Sequence, residues 1–130
     1  MKSSKSMKNH KDLIVWQKGI ELVKMVYSIT SSFPKEEQFG LTSQMRRCSV
    51  SIPSNIAEGC GRHSEKELMQ FLYITLGSAS ELETQIIISQ ELNFLEKDKC
   101  EQVLSMINEI IRMTSSLIKS IKTRFESSIN

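Results

Sequence analysis

Apolar residues recur at spacings of three and four along most of the chain, and this period constrains the fold more than any other feature of the sequence. It is clearest in the last third, between Leu104 and Phe125. Apolar residues at these spacings lie on one face of an α-helix, whereas a half-buried strand would show strict alternation. No window of the sequence alternates in that way between hairpin dipeptides. The sequence therefore predicts an all-α protein.

Prolines bound and interrupt the first two predicted helices. The first helix covers residues 12–32 with Asp12 as its N-cap, and it ends because Pro34 pushes the preceding residue out of helical geometry. The second covers residues 41–58 and contains Pro53. An interior proline removes one backbone hydrogen bond, but nearby serine hydroxyls can satisfy the freed carbonyl. We therefore expect one kinked helix here rather than two elements.

Capping pairs predict where the third and fourth helices begin. Ser64 and Glu67 have the spacing of a capping box, so a third helix should run over residues 65–92. Asp98 and Glu101 form a weaker pair that should start the fourth helix. Because the connections are short, consecutive helices should be antiparallel neighbours. The predicted fold is an antiparallel up-down-up-down four-helix bundle.

The predicted domain organisation is a single bundle between two ends. The bundle spans residues 12–125, residues 126–130 form the C-terminal end, and residues 1–11 form a basic tail. The tail is either a flexible solubilising segment or an arm that binds phosphate. Its four basic residues are Lys2, Lys5, Lys8 and Lys11. The other 119 residues hold 13 basic and 15 acidic groups, so the positive excess lies in the tail.

The first and fourth helices carry more apolar residues than the core of a bundle needs. Beside the main heptad positions, a second apolar stripe repeats along each helix. Its members are Val15, Leu22 and Ile29 in the first helix and Val103, Ile110 and Leu117 in the fourth. These residues either fill the core more completely or form a subunit interface, since a large exposed apolar face is unusual on a monomer. A homo-oligomer that uses this stripe as its interface is the favoured prediction.

The sequence disfavours several classes of function. No apolar run exceeds four residues, the length of Leu13 to Trp16, which is too short for a membrane span or a signal peptide, so we expect a cytoplasmic protein that does not bind membranes. Three widely spaced cysteines indicate reduced thiols rather than disulfides. The carboxylates, histidines and serines lack the spacing of catalytic groups. We therefore expect neither an enzyme nor a cofactor.

The turn Gly59-Cys60-Gly61-Arg62-His63 invites comparison with a phosphate-binding loop or a metal site. A phosphate-binding loop follows a strand and carries a lysine at a set position, whereas here a helix precedes the turn and the lysine is missing. Cys60 and His63 have a ligand spacing, but a structural zinc site needs four ligands. We therefore predict no metal, and we expect Gly59 and Gly61 to adopt left-handed geometry that ends the second helix.

Three stretches of the sequence resemble one bacterial protein family. They are VWQKGIELV, FPKEEQFGLTSQMRRCSVSIPSNIAEGCGR and FLYITLGSASELETQ, which begin at Val15, Phe33 and Phe71. The sequence is similar to the four-helix-bundle proteins first noticed as reading frames inside intervening sequences of bacterial large-subunit ribosomal RNA genes. That family also includes the accessory variability protein of diversity-generating retroelements. The resemblance spans residues 12–121 and is most specific in residues 39–62.

This resemblance implies a pentameric ring without known catalytic activity. It also implies RNA and a partner protein as ligands, because the retroelement member binds RNA and a reverse transcriptase. The positions that match the family pattern are Arg46, Arg47, Asn55, Glu58, Gly59, Gly61, Arg62, Gly77 and Ser78, whereas Gly19 stands where alanine is usual. The implied function is that of a nucleic-acid-binding accessory factor, with RNA favoured over DNA. The alternative is a protein-only scaffold that docks a partner protein.

The candidate nucleic-acid-binding residues are basic side chains that can contact phosphates with little sequence preference. They are Arg46, Arg47, Arg62, Arg112, Lys119, Lys122 and the tail lysines Lys2, Lys5, Lys8 and Lys11. Arg112 and Lys119 are seven residues apart and project from one line of the fourth helix, so copies of this line in a ring could form a basic track. Each of these charges could instead be paired locally with Asp or Glu.

Arg46 and Arg47 have a structural alternative. Because they are adjacent on a helix, one of them must face inward, where it could hold Glu58 or Glu81 across the bundle. The sequence does not decide between this role and contact with phosphate.

Overall fold

Four long helices make up most of the chain. A computed structural model describes residues 9–129, without the side chains of Phe125 and of residues 127–129. The helices are α1 (Ile14–Thr30), α2 (Leu41–Cys60), α3 (Glu65–Glu91) and α4 (Lys97–Ile129), and two 3-10 turns lie at His10–Asp12 and Lys35–Glu37. Residues 9–129 contain no strand, which confirms the prediction of an all-α fold with four helices.

Each helix packs against the next one in the chain, and α4 also packs against α1. Contacts between α2 and α3 run in opposite directions along the chain, because Gly59 lies against Leu68 while Met45 meets Ser89. The same holds for α3 and α4, where Glu65 at the start of α3 pairs with Arg124 near the end of α4. Consecutive helices are therefore antiparallel, and short connections join them.

The starts of the helices follow the predicted capping signals in one case of three. Ser64 Oγ accepts a hydrogen bond from the Glu67 amide at 3.1 Å, and α3 begins at the next residue. Asp12 instead ends a 3-10 turn, so Leu13 is the N-cap of α1 and makes no side-chain capping bond. Asp98 lies inside the first turn of α4, not before it. There its carboxylate still interacts favourably with the positive end of the helix dipole.

Pro53 lies inside α2, which continues through it as one helix from Leu41 to Cys60. This confirms the prediction of a single element. The hydroxyls of Ser49 and Ser51 donate to the carbonyls of Arg46 and Cys48 at 2.8 and 2.7 Å. They do not donate to the Ser49 carbonyl, the one that loses its helical donor to the proline four residues later. The prediction that a serine hydroxyl satisfies the freed carbonyl is therefore wrong, because both hydroxyls bond to carbonyls that precede it in the chain.

Most residues of the predicted interface stripe lie in the core of the single chain. Val15, Leu22, Ile29, Val103 and Ile110 are each no more than 5% exposed, and Leu117 is half-buried. Side chains this deeply buried are not available to a second subunit. The assignment of these five residues to an interface is therefore wrong, because they fill the core, whereas the assignment of the half-buried Leu117 stays a prediction.

The sequence misplaced the interface because it does not reveal how each helix is rotated about its own axis. In α1 the buried line includes Gly19 and Thr30, which a count of apolar residues leaves out. Trp16, Ile20 and Tyr27 follow the apolar period of the first helix, which predicts them in the core, but Trp16 and Ile20 are half-buried and Tyr27 is exposed. Because α1 packs against both α2 and α4, its apolar arc is wide, and the sequence does not mark where the centre of that arc lies.

The exposed apolar surface lies mainly on α3. Ile74, Ile88 and Leu92 are between 42% and 52% exposed. They lie on one side of the helix together with Gly77, which is exposed and has no atom within 4 Å of the position that a Cβ would take. We call these four residues the outer face of α3. An exposed mid-helix glycine costs about 1 kcal/mol relative to alanine, and no contact within the described chain compensates for that cost.

The left-handed residue that the sequence predicts at the end of α2 lies instead at the end of α3. Gly59 is helical and buried against α3, where an added Cβ would lie 2.9 Å from Leu68 Cδ1. Gly61 has a φ of −85°, so neither glycine is left-handed. The left-handed residue is Asn93, with a φ of 64°, and the amides of Asn93 and Phe94 bond to Gln90 and Ser89 in a Schellman motif that ends α3.

The end of the predicted tail is folded against α1. Asn9 caps the 3-10 turn, His10 packs edge-on against Trp16 with ring centroids 5.2 Å apart, and Gln17 Nε2 donates to the Lys11 carbonyl at 2.9 Å. Lys2, Lys5 and Lys8 lie outside the described residues. Among residues 9–129, none of the helices combines the length and the apolar content needed to cross a bilayer.

Candidate nucleic-acid interface

Three of the predicted basic residues lie in a row on the surface of α4. Arg112, Lys119 and Lys122 all have exposed side chains. Their intervals of seven and three residues place them on one side of the helix over about 15 Å. We call these residues the basic line of α4. Between residues 112 and 126 the sequence has four basic residues and one acidic residue, so this part of the surface is positive.

Four cations of the described residues form ion pairs with acidic side chains, and none of the four belongs to the basic line. Lys18 Nζ lies 3.3 Å from Glu109, and Arg124 Nη2 lies 2.8 Å from Glu65. Within the described part of the chain, no ion pair joins a carboxylate to any member of the basic line. The alternative that the predicted cations are paired locally therefore does not hold for these three residues.

A groove with a volume of about 470 Å³ lies between α3 and α4, beside the basic line. Lys119 and Lys122 line it, together with Tyr73 and Leu76 from α3 and Ile118 from α4. Tyr73 is 50% exposed, so its ring is accessible to solvent. The remaining polar groups of the groove are those of Ser115, Thr123 and Glu126. The groove thus combines an accessible aromatic ring, two cations, hydroxyls and one carboxylate.

Arg46 has a structural role in joining α1 to α2. Its Nε donates to Thr30 Oγ1 at 2.8 Å, its Nη2 donates to the Tyr27 carbonyl at 3.4 Å, and its guanidinium lies 4.6 Å from the centre of the Tyr27 ring. Thr30 in turn donates to the Val26 carbonyl at 2.7 Å. The inward-facing alternative is therefore correct for Arg46, although its partners are on α1 and not Glu58 or Glu81.

Arg47 is exposed and lies between two shallow depressions. One of them, between α2 and α3, also contains Cys48 and Glu81. The other, at the α1–α2 connection, contains Tyr27 and Phe39. Phe39 is 90% exposed, the highest value among the exposed large apolar side chains of the described chain. We call Tyr27, Phe39, Arg46 and Arg47 the Phe39 patch.

Arg62 is exposed but engaged within its own turn. Its Nη2 donates to Glu58 Oε2 at 2.6 Å, and its guanidinium lies 4.9 Å from the centre of the Phe71 ring. These contacts hold the turn between α2 and α3 against the side of α3. Lys11 is exposed beside the start of α1. The structure thus brings Lys119 and Lys122 together at one groove, places Arg112 on the same line, and keeps Arg46, Arg47 and Arg62 on other surfaces.

The three cysteines are free thiols whose raised pKa values favour the protonated form. Burial, and after it the charge of Glu81, raises the pKa of Cys48 to about 12, and its Sγ donates to the Ser78 carbonyl at 3.0 Å. Burial also raises the pKa of Cys60 and, with Glu101 as a second cause, that of Cys100. Raised values disfavour the thiolate that would bind a metal or attack a substrate. Residues 9–129 contain no cluster of three or more His, Cys, Asp or Glu side chains that could hold a metal ion.

Sequence reasoning missed the two accessible aromatic residues. Tyr73 lies in the dense apolar run Phe71-Leu72-Tyr73-Ile74, where periodicity is hard to follow, although it falls off the buried line through Leu72 and Thr75. Phe39 follows the polar stretch Lys35 to Gln38 and precedes Gly40. The signal for Phe39 in the sequence is a lone aromatic residue in a polar loop.

Comparison with known proteins assigns the family. The family model described as 23S rRNA-intervening sequence protein matches residues 11–116. No curated protein matches the chain. The chain is similar to a solved crystal structure of a Bacteroides thetaiotaomicron protein, described as a protein with unknown function from the S23 ribosomal protein family. The TM-score is 0.74 at 23% sequence identity, and the match covers 82% of this chain and 99% of that chain.

At that identity the structural likeness shows the fold alone. The family match, in contrast, covers most of the sequence and agrees with the resemblance carried by the three quoted stretches. The chain therefore belongs to the 23S rRNA-intervening sequence protein family.

Proposed function

We propose that this chain is a nucleic-acid-binding accessory factor that acts by binding and not by catalysis. The observation that carries the proposal is the basic line of α4, where three exposed cations have no carboxylate partner among the described residues. A row of unpaired cations can replace the counterions of a phosphate backbone, and their release favours binding. Contacts of this kind position a nucleic acid but do not read its sequence.

RNA is the favoured ligand. The family is described by the intervening sequences of 23S rRNA, and the resemblance implies RNA because the retroelement member of that family binds it. A reverse transcriptase, or another protein encoded nearby, is the corresponding protein partner. DNA is the alternative ligand, because phosphate contacts alone do not distinguish the two nucleic acids.

The same proposal includes a homo-oligomer, with a five-membered ring implied by the resemblance. The outer face of α3 supports it, because Ile74, Ile88 and Leu92 present apolar surface beside a glycine that lets a second backbone approach. This face replaces the core residues as the candidate interface. In a ring, the basic lines of neighbouring subunits would combine into a longer positive track.

Titration of RNA and duplex DNA at two salt concentrations tests the proposal. The proteins are the full chain, a chain without residues 1–8, and a variant in which Arg112, Lys119 and Lys122 are replaced with Gln. The full chain should bind, and the triple variant should bind more weakly. The plot of log affinity against log salt should lose about 2–3 units of slope in that variant, since each lost phosphate contact accounts for roughly 0.7–0.9.

A control variant of equal net charge replaces Lys35, Lys97 and Lys99 with Gln. These exposed cations are at the other end of the bundle, with Lys97 about 33 Å along α4 from Lys119. The control should bind like the parent. If both triple variants bind nucleic acid equally weakly, the attraction depends on total charge and not on the basic line. If binding is lost only when residues 1–8 are removed, the contact lies in the tail.

The second candidate function is a protein-only scaffold, and the Phe39 patch favours it. The patch places exposed Phe and Tyr side chains beside two arginines, and aromatic residues and arginine are enriched at the hot spots of protein–protein interfaces. If neither nucleic acid binds at low salt while the oligomer is intact, the scaffold becomes the better account. A protein encoded by a neighbouring gene should then bind the parent, and Phe39→Asp should abolish that binding.

A further inference from the structure

The groove between α3 and α4 has a composition that phosphate contacts alone do not explain. Its lining includes the apolar side chains of Leu76 from α3 and Ile118 from α4. Tyr73, also from α3, has half of its side chain exposed. Lys119 and Lys122, the last two members of the basic line, line the groove from α4. A duplex backbone would use the lysines but would leave the ring and the apolar side chains unused.

The volume and the lining side chains of the groove suit a nucleotide whose base is not stacked on a neighbouring base. Its volume of about 470 Å³ falls within the roughly 300–1,000 Å³ typical of small-ligand sites. Every base has an aromatic face that can stack on a tyrosine ring, and its phosphate can lie against a lysine. The hydroxyls of Ser115 and Thr123 can bond to the sugar or to a base edge.

We propose that this groove binds an unpaired nucleotide, which makes the protein selective for single-stranded over duplex nucleic acid. Tyr73 stacks on the base, and Lys119 and Lys122 bind the adjoining phosphates. This inference rests on the proposed nucleic-acid-binding function and names the form of nucleic acid that the same site takes. Bases inside a duplex are stacked on their neighbours, so they cannot present a face to Tyr73.

Glu126 fixes the direction in which the nucleotide lies. Its carboxylate also lines the groove and would repel a phosphate placed beside it. Lys122 is one turn from Glu126 and Lys119 is two turns away, so the phosphate at Lys119 is held more firmly and the base or sugar edge lies toward Glu126. A carboxylate accepts hydrogen bonds from an exocyclic amino group or from a ribose 2′-hydroxyl. RNA and DNA single strands share the stacked base, and the 2′-hydroxyl distinguishes them.

Fluorescence anisotropy with three labelled probes of equal length tests the proposal. The probes are an unstructured single-stranded RNA, a single-stranded DNA of the same sequence, and the RNA duplex. The parent protein should bind either single strand at least about 10-fold more tightly than the duplex, because base stacking on an aromatic side chain contributes about that much or more per base. Tighter binding of RNA than of DNA would assign a contact to the 2′-hydroxyl, and equal binding would assign recognition to the base and phosphate.

Substitutions at Tyr73 separate stacking from charge. Tyr73→Ala should weaken single-strand binding about 10-fold and leave duplex binding unchanged, whereas Tyr73→Phe should retain the preference. Lys119→Gln should weaken binding of every probe. Phe39→Ala is the matched control, since it removes an exposed aromatic residue far from this groove and should change nothing.

The outcomes distinguish this inference from the proposed function. Equal binding of single strands and duplex, with no effect of Tyr73→Ala, would overturn the stacking site while leaving nucleic-acid binding in place. No binding of any probe would overturn both. A photo-crosslink from a 5-bromouridine single strand gives a second measurement, and a cross-linked peptide that contains Tyr73 is expected. Cross-linking at Phe39 in its place would move the site to the Phe39 patch.

Discussion

Gly19 of α1 lies directly against Pro53 of α2, so that a Cβ on the glycine would be 3.3 Å from the proline Cβ. The two residues that each weaken their own helix therefore meet at one contact. Without a side chain at position 19, the backbone of α1 can approach the proline ring closely. The helix propensity lost at Gly19 is offset by this packing, and the position is buried.

Replacing Gly19 with Val should lower the free energy of unfolding by about 1–3 kcal/mol, because the added methyl groups overpack against Pro53. Urea unfolding followed by circular dichroism measures the change. The matched control is Ser105→Val, which adds the same side chain at an exposed position of α4 and should change the free energy of unfolding by less than about 0.5 kcal/mol. A Gly19→Val protein as stable as the parent would show that α1 can shift away from α2 without cost.

The bond between Arg46 and Thr30 should be measurable as a coupling energy. A double-mutant cycle with Arg46→Ala and Thr30→Val should give a coupling of about 1 kcal/mol, because the charged donor and the buried hydroxyl are 2.8 Å apart. Arg47→Ala, at the adjacent exposed position, should change stability by less than about 0.5 kcal/mol. Additive effects of the two cycle mutations would mean that the bond contributes nothing.

Removing the Ser64 hydroxyl should destabilise the start of α3. We expect Ser64→Ala to cost about 1 kcal/mol, since the Glu67 amide loses its acceptor. Ser120→Ala, at an exposed position within α4, should be neutral or slightly stabilising because alanine is the better helix former. Equal unfolding midpoints for the parent and Ser64→Ala would contradict the capping role.

The buried thiol of Cys48 should make stability depend on pH in alkaline solution. Its pKa is raised from 9.0 to about 12 by burial and by Glu81, so above pH 9 the unfolded chain loses this proton while the folded chain retains it. The folded state then binds more protons, and stability must fall as the pH rises from 9 to 12. Urea midpoints at pH 8 and pH 10 should decrease more in the parent than in Cys48→Ala. Parallel decreases in both proteins would show that other groups cause the effect.

A lysine on the outer face of α3 should disrupt assembly without unfolding the chain. Ile88→Lys places a charge within the proposed interface, so light scattering should report a mass that approaches the 14.9 kDa of one chain, while circular dichroism should still report a helical protein. Asn108→Lys adds the same charge at an exposed position of α4 and should leave the mass of the parent assembly unchanged. A parent that is itself monomeric, or an unchanged mass for Ile88→Lys, would exclude this interface.

Local signals in the sequence determined the number, order and approximate bounds of the helices. The period of three and four, the capping box at Ser64 and the break before Pro34 act within one or two turns of chain, so they can be read without the fold. They also identified the exposed cations Lys119 and Lys122, because a polar stripe opposite an apolar one must face solvent. The family could be recognised from contiguous stretches for a similar reason.

Tertiary packing alone decided how each helix is rotated, and this changed the assignment of the site. Gly19 and Thr30 lie on the buried line of α1 because of what packs against them, and neither is apolar enough to reveal this in the sequence. Ion pairs join residues far apart in the chain, such as Glu65 with Arg124, and leave the basic line of α4 unpaired. The groove at Tyr73 forms from two helices together. Periodicity describes one helix at a time, whereas a groove, an ion pair and a buried line each depend on the helix beside it.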